Sequence, residues 1–408
     1  MSLRLDIRPI VSALLRNRTG ALLVAFQIAI ALAVLVNAVF IVHQRIEKMG
    51  RPTHIDERNV FGIFNSEYTQ RFNYDASVHE DLVYLRSLPG VIDATISNSV
   101  PLGISGSATA IWTQPDSKGK RAQINTFSMD EHGMRTLDVH LLAGRGFRAD
   151  EILPPITPKN TADFVPQLIV TKAVAEQLFP HENALGKTVY DATNHPATLV
   201  GIMENMIGSG WWGYEAVDHV AIMPRLPRLF GFEYLVRTEP GRRDSIMRQA
   251  EEHLATSNPD RVIAWVRSVE FFKGMLYRGD RNMQVFLITV TVLMLAVACL
   301  GIFGLATFNV STRTKQIGTR RAVGARRSDI VSYFMVENGL ITTGGIVFGC
   351  VLALAVGYWL SIQYQLPRLD LYYLVGGVLT LWAIGQLAAW QPARRASAVS
   401  PSVATRTV

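Results

Sequence analysis

Four stretches of the chain run apolar without a single charge, and the segments between them are mixed. Residues 20–42 supply 23 uncharged residues, about 34 Å of helix at 1.5 Å per residue, enough to cross a hydrocarbon core of about 30 Å with some tilt. Residues 283–310, 339–360 and 371–390 are the other three, and only residues 361–370 separate the last two. That spacing predicts a tight hairpin. The pattern predicts a membrane protein of four transmembrane α-helices in a 1+3 arrangement, with a large α+β extracytoplasmic domain inserted between helices 1 and 2. The expected divisions are an N-terminal segment 1–19, a first span 20–42, an inserted two-lobed domain 43–282, a second span 283–310, a link 311–329, third and fourth spans 330–360 and 371–390, and a tail 391–408.

Arg4, Arg8, Arg16 and Arg18 precede the first span, as in a secretory leader. Its apolar run is longer than the roughly 7 to 15 residues of a leader, and residues 39–45 hold no small-x-small cleavage site, so it reads as a retained anchor.

The inserted segment changes period. β-branched runs at 91–96, 168–170, 198–202 and 234–237 predict strands, and helical patterns occupy 78–88, 173–179 and 243–255. In the last, Ile246, Ala250, His253 and Leu254 recur at helical spacing opposite Arg248, Glu251 and Glu252. Pro154, Pro155, Pro158 and Pro166 mark 153–166 as a loop or inter-lobe linker.

Composition agrees: 18% of residues are charged and 49% hydrophobic, against about 25% charged in an average soluble domain, which excludes disorder. The formal charge of +7 would raise nucleic acid as a partner if it formed one patch. It does not. The N-terminal segment, the 311–329 link and the tail together carry +11, while residues 43–282 carry −3. This is a positive-inside signature, which places both termini and the link in the cytoplasm and the inserted domain outside, and removes nucleic acid as a partner. Cys299 and Cys350 both fall in spans, so the inserted domain has no disulfide framework.

Apparent catalytic motifs fail on inspection. The stretch Ala184 to Thr188 ends like a phosphate-binding loop, but His181 stands where that loop needs glycine, and a β-turn before a strand is the reading. His79-Glu80 and His181-Glu182 begin a zinc-protease motif whose second histidines are Val83 and Leu185. No Gly-x-Ser-x-Gly elbow occurs, and neither a metal site nor a catalytic residue is expected.

Four features are informative. Leu3, Ile7, Ile10 and Leu14 lie at helical spacing among arginines, either an interfacial helix on lipid phosphates, which Pro9 would kink, or a plain charged leader. In the 311–329 link, Ile317, Ala322 and Val323 read as a small apolar knob exposed to the cytosol, Gly318 and Gly324 as points where the chain is re-aimed, and Arg313, Lys315, Arg320 and Arg321 as its basic frame. Such a knob suits docking on a cytosolic partner, whereas a topological determinant explains only the charges. Ser328 is expected to cap the third span, with Asp329 favoured by the helix dipole. Glu337, inside that span, is costly unless it pairs with the link arginines or snorkels to the headgroups. Trp211, Trp212 and Tyr214 sit in a glycine-rich external loop, open to a partner or the outer leaflet, or packed on their own domain.

At the link the sequence Arg313-Thr-Lys-Gln-Ile-Gly-Thr-Arg-Arg-Ala-Val-Gly-Ala325 closely resembles the coupling segment of FtsX-like permeases, R-T-x-E-I-G-x-R-x-A-x-G-A. The resemblance continues through Asp329-Ile330, Glu337 and Pro392-Ala-Arg-Arg-Ala396 to Ser400-Pro401. Leu88-Pro-Gly-Val91, Leu142-Ala-Gly-Arg145, Ala175-Glu-Gln-Leu-Phe179, Leu185-Gly-Lys-Thr-Val189 and Val200-Gly-Ile202 resemble the extracytoplasmic domain of MacB-like ABC permeases. What this implies is an inner-membrane permease subunit, homo- or heterodimeric, without ATP-binding motifs of its own. A cytoplasmic ABC ATPase, holding ATP and magnesium, would dock on Arg313, Lys315, Gln316, Ile317, Gly318, Arg320, Arg321, Ala322, Val323, Gly324 and Ala325. About 19 residues precede the first span, so the ATPase is expected as a separate subunit. Export of a drug-like molecule, peptide or lipid with a periplasmic adaptor is the leading expectation. A non-transporting regulator of cell-wall hydrolases and a lipoprotein-releasing permease are the alternatives. Gln316 departs from the family's glutamate, which weakens any ion pair made there.

Overall fold

The computed structural model describes residues 18–400 apart from 70, 104–105, 157–164, 210–216, 228–230 and 365–366. The arginine-rich leader, the Trp211, Trp212 and Tyr214 loop and most of the proline-rich stretch lie outside the described residues. The chain divides into two compact units, Met1–Gly50 with Gly279–Val408, and Arg51–Arg278.

Helix α1 (Arg18–Met49) carries the first apolar run and continues beyond it. The second unit then folds as strands β1 (Val60–Glu67), β2 (Val91–Ser97), β3 (Ser107–Gln114), β4 (Lys118–Met129), β5 (Leu141–Gly144), β6 (Gln167–Thr171), β7 (Thr188–Tyr190), β8 (Pro196–Met203), β9 (Val220–Pro224), β10 (Phe232–Thr238) and β11 (Arg261–Ser268). Its helices are α2 (Tyr74–Ser87), α3 (Gly133–Leu137), α4 (Lys172–Leu178), α5 (Arg243–Ser257) and α6 (Val269–Leu276). The strands expected from β-branched runs are β2, β6, β8 and β10, and the expected helices are α2, α4 and α5. Helix α2 begins where the Asn73 side chain accepts the Ala76 N–H at 3.3 Å, and ends before Pro89, which cannot continue it. His253 corrects the reading of α5: Ile246, Ala250 and Leu254 are buried, but His253 is exposed and stacks on Tyr84 at 3.5 Å. An imidazole keeps its hydration there while covering a ring.

Two lobes emerge from strand pairing. Strands β11, β1, β10 and β2 form an antiparallel sheet, on which α2 and α5 bury Leu82, Leu85, Ile246 and Leu254 against Phe61, Ile96 and Tyr234. Within this core Arg261 donates to the Asp81 carboxylate, and Tyr234 Oη donates to Asp81 Oδ2 at 2.7 Å. Both charges are buried, so each is tolerable only because the other is present. The remaining lobe is a closed ring, with β4 pairing β3, then β7, β8, β6 and β9, and β9 returning in parallel to β4. Ile111, Ile124, Val170, Leu199 and α4 residues fill one end of it. Among the described residues the strands of the two lobes pair at one position, Ser97 with Met129.

The turn before β7 settles the phosphate-loop question. Lys187 N–H donates to Ala184 O, Gly186 takes φ +79°, and Lys187 pairs with Glu182. No cradle for phosphate forms.

The first unit is completed by α7 (Arg278–Thr312), α8 (Thr314–Ala322), α9 (Arg327–Tyr364) and α10 (Leu371–Ser397). The helices α1, α7, α9 and α10 are long and apolar enough to cross a membrane. The first three overrun their apolar runs at both ends, because backbone hydrogen bonding continues while side chains turn polar; α10 starts with its run at Leu371 and overruns only at the C-terminal end, passing through Pro392, expected in the tail. Helix α1 is central, with 56% of its apolar window buried against 11% for α7. The reason lies in small residues. Gly345 and Gly349 let α9 approach until a methyl group at either would touch the α1 backbone at Ala25 or Ala29. Asn37 Nδ2 then reaches across to Ala353 O at 3.1 Å. Asn338 Nδ2 similarly donates to Gly385 O at 3.0 Å, tying α9 to α10.

Candidate functional site

The 311–329 link is not an open loop. Thr314–Ala322 is helical, and Gly324, at φ +102°, ends the helix: Ala325 N–H donates to Arg320 O at 3.0 Å and Gly324 N–H to Arg321 O at 3.2 Å. A residue with a side chain would resist that left-handed step. Gly318 therefore does not re-aim the chain, as expected of it, but lies buried within α8. Ile317 is also corrected. At 4% exposure it is no part of a cytosolic knob, and packs with Ile330, Phe334, Ala393 and Ala396. Burying it contributes about 1.5–3 kcal/mol to holding α8 on the ends of α9 and α10. Ala322 is exposed, Val323 is 85% exposed, and Ala325 is half-buried.

Polar contacts fix the same helix. Arg313 Nη1 lies 3.0 Å from Glu337 Oε2 and 3.3 Å from Tyr333 Oη, while Arg320 stacks over the Tyr333 ring at 4.8 Å. Arg321 Nη1 donates to Ser397 O at 2.7 Å. Glu337 is 2% exposed, and its other oxygen, Oε1, has no hydrogen-bond partner among the described residues. Pairing with Arg313 offsets the cost of an acid inside α9. Lys315 and Gln316 stay exposed, Gln316 lining a shallow cleft with Arg313 and Arg320. Ser328 does not cap α9, which starts a residue earlier; Asp329 Oδ2 instead accepts the Arg326 N–H at 2.9 Å. Tyr333, which serves both arginines, was not singled out from sequence because an aromatic in a span reads as ordinary core.

A second tie sits at the opposite end of α1 and was also missed. Asp280, in the first turn of α7, is buried between Arg45, which donates to Oδ1, and Lys48 Nζ, 2.9 Å from Oδ2. Arg45 and Lys48 lie three residues apart on one face of α1. The signal was available only as spacing beyond two apolar runs.

Helix α8 is thus clamped beside the spans, with Val323 pointing outward amid arginines. The MacB-like periplasmic core domain matches residues 21–260, and the FtsX-like permease C-terminal domain matches residues 288–401.

The chain belongs to the MacB-like, FtsX-like family of permeases.

The macrolide export ATP-binding/permease protein MacB of Escherichia coli O6:K15:H31 (strain 536 / UPEC) is 26% identical over 428 residues, covering 95% of this chain and 58% of that protein. MacB 1 of Yersinia pestis bv. Antiqua (strain Antiqua) is 27% identical over 263 residues, covering 60% and 39%. The chain spans about half the length of these curated relatives. The periplasmic region of MacB from Actinobacillus actinomycetemcomitans superposes with a TM-score of 0.34 at 14% identity, over 56% of this chain and 97% of that one. Four apolar helices and this family make the permease a multi-pass protein of the bacterial inner membrane. Among the described residues no three His, Cys, Asp or Glu side chains gather as metal ligands.

Proposed function

We propose that this permease converts ATP hydrolysis in a separate cytoplasmic ABC ATPase, which holds the ATP and magnesium, into movement of its inserted domain, driving export of a drug-like molecule, peptide or lipid. The observation that carries the reading is α8: Ile317, Arg313 and Arg321 fasten it to α9 and α10, and Val323 points away. A push on a helix so fastened reaches the spans instead of being absorbed by a loop. The charge distribution supports cytoplasmic termini and an outward-facing inserted domain. A second permease chain, identical or not, and a periplasmic adaptor complete the proposed assembly. Helix α7, with little of its apolar surface covered by the other helices, leaves area for that second chain.

The test is to isolate the tagged chain from native membranes in mild detergent and identify what accompanies it. Recovery of an ABC ATPase with a periplasmic adaptor supports the proposal, and Val323→Asp should then release the ATPase while leaving the adaptor bound. An ATPase recovered with a cell-wall hydrolase or its activator, without adaptor, would make the chain a signal transducer. Recovery of neither an ATPase nor an adaptor would overturn the proposal.

A further inference from the structure

Helix α8 contains no acidic residue, and the arginines in and just before it are not equally satisfied. Arg313, which precedes the helix, pairs with Glu337, and Arg321 gives an N–H to Ser397 O. Arg320 differs from both. It is exposed and lies over the Tyr333 ring at 4.8 Å, a contact that brings no anion to the charge. Among the described residues its guanidinium has neither an ion pair nor a hydrogen bond. A guanidinium steadied by a ring, with its N–H donors unused, is prepared for a carboxylate, which takes two parallel N–H bonds at once.

Gln316 stands four residues before Arg320 on the same face of α8, and both line the shallow cleft over Tyr333. Ile317, Ile330 and Phe334 give this cleft an apolar side, and no acid lines it. Its volume is about 20 Å³, where a single water needs about 10–15 Å³ by the same measure. The space admits a group of a few atoms. A glutamate at position 316, the residue of the family pattern, would stand N-terminal to Arg320 at the spacing and in the order that favour an ion pair on a helix. It would fill the site from within. Glutamine has the same shape without the charge, and its amide N–H can donate to an oxygen. This chain therefore leaves open a carboxylate position that the family pattern satisfies by itself.

We infer that Arg320 and Gln316 receive one acidic side chain of the soluble partner, and that Gln316 makes the chain selective for an ATPase presenting Asp or Glu at the matching position. The apolar side of the cleft suits the methylene stem of such a residue, and the two polar side chains suit its carboxylate. A lipid phosphate offers the same charge but would bring its ester arms into a space of a few atoms. The inference rests on the reading of α8 as the ATPase contact.

The test uses the full chain in lipid nanodiscs and the ATPase that co-purifies with it. Arg320→Lys places a primary amine in the cleft, and a water-soluble carbodiimide then joins that amine to a carboxylate in direct contact. Peptide mapping should find position 320 linked to an Asp or Glu of the ATPase, a product the wild type lacks. Gln316→Glu, at an exposed position, should weaken ATPase binding at least tenfold in neutral and anionic lipid alike. Arg320→Glu should bind an ATPase whose mapped acid is changed to Lys at least tenfold better than the wild-type chain binds it. A link only to Glu337, Asp329 or another acid of this chain, or undiminished binding by Gln316→Glu, would overturn the inference and leave docking on α8 intact. A Gln316→Glu effect confined to anionic lipid would assign the cleft to lipid phosphate and overturn it as well. Recovery of no ATPase with the wild-type chain would instead bring down the docking reading, and the inference with it.

Discussion

The Asp280 tie gives the sharpest expectation about α7. That helix has the least buried apolar window of the four, so its position against α1 rests heavily on the few polar contacts it makes. Asp280 is buried and meets two cations of α1 at once, Arg45 and Lys48. Asp280→Asn keeps the shape, removes the charge and leaves both cations facing an amide. For a fully buried pair the loss would be about 3–5 kcal/mol, and for an exposed one about 0–1. The Lys48 and Arg45 side chains are 14% and 30% exposed, so the structure places the loss between these limits, about 1–3 kcal/mol. That shifts the balance between closed and splayed helix ends by roughly 5- to 150-fold. Spin labels at the exposed Glu47 and Arg281, read by pulsed dipolar spectroscopy in nanodiscs, report the separation directly. The wild type should give one narrow distance, and Asp280→Asn a second, longer population. Restoring opposite charge, with Asp280→Lys and both cations changed to Glu, should recover the narrow distribution. An unchanged distribution in Asp280→Asn would refute the idea that this tie sets the α1–α7 spacing.

Glu337→Gln removes the charge that fixes Arg313, so partner-stimulated ATP turnover should fall about 5- to 10-fold with recovery of the complex unaffected; equal turnover would count against a role for the pair. Asp81→Asn leaves the buried Arg261 without its anion and should destabilise the inserted unit by about 3–5 kcal/mol, visible as faster amide exchange in α2 and β11. Glu151 is gripped by both Arg145 Nη groups at 2.7 and 2.6 Å, by the Arg148 amide and by Gln167, which together hold its carboxyl down at about 2 from an ordinary 4.5. Because the folded value is the lower one, this contribution is complete above about pH 4.5 and is lost as pH falls toward 2. A carboxyl NMR titration of Glu151 with its midpoint near 4.5 would contradict that grip, and Glu151→Gln should abolish this part of the acid dependence.

Much of the architecture was legible because each layer has its own periodicity. Uncharged runs of 20 or more residues have no stable place but a bilayer, and the +11 against −3 charge division needs no coordinates to read. Strands β2, β6, β8 and β10 and helices α2, α4 and α5 were equally visible, since burial of one face imposes a repeat on the sequence. The link was the partial case. The exposure of Val323 and the turn at Gly324 could be read from it, but Ile317 looked exposed because a sequence cannot show that α9 and α10 end beside it with Ile330 and Ala393.

Tertiary structure alone decided the rest, and the reason is distance along the chain. Asp280 meets Arg45 and Lys48 across more than 230 residues, and Asp81 meets Arg261 across 180. No local pattern encodes such pairs; each charge by itself resembles a solvated one. The ring of six strands is likewise a fact of closure, made when β9 returns in parallel to β4. Only closure turns Ser107, Thr109, Thr126 and Ser128, unremarkable polar positions on two strands, into the wall of one cleft. The sequence determined which segments are helix, strand and membrane span, through the free energy of burying their own faces. The fold determined which side chains face each other, because that free energy is shared between residues the chain keeps far apart.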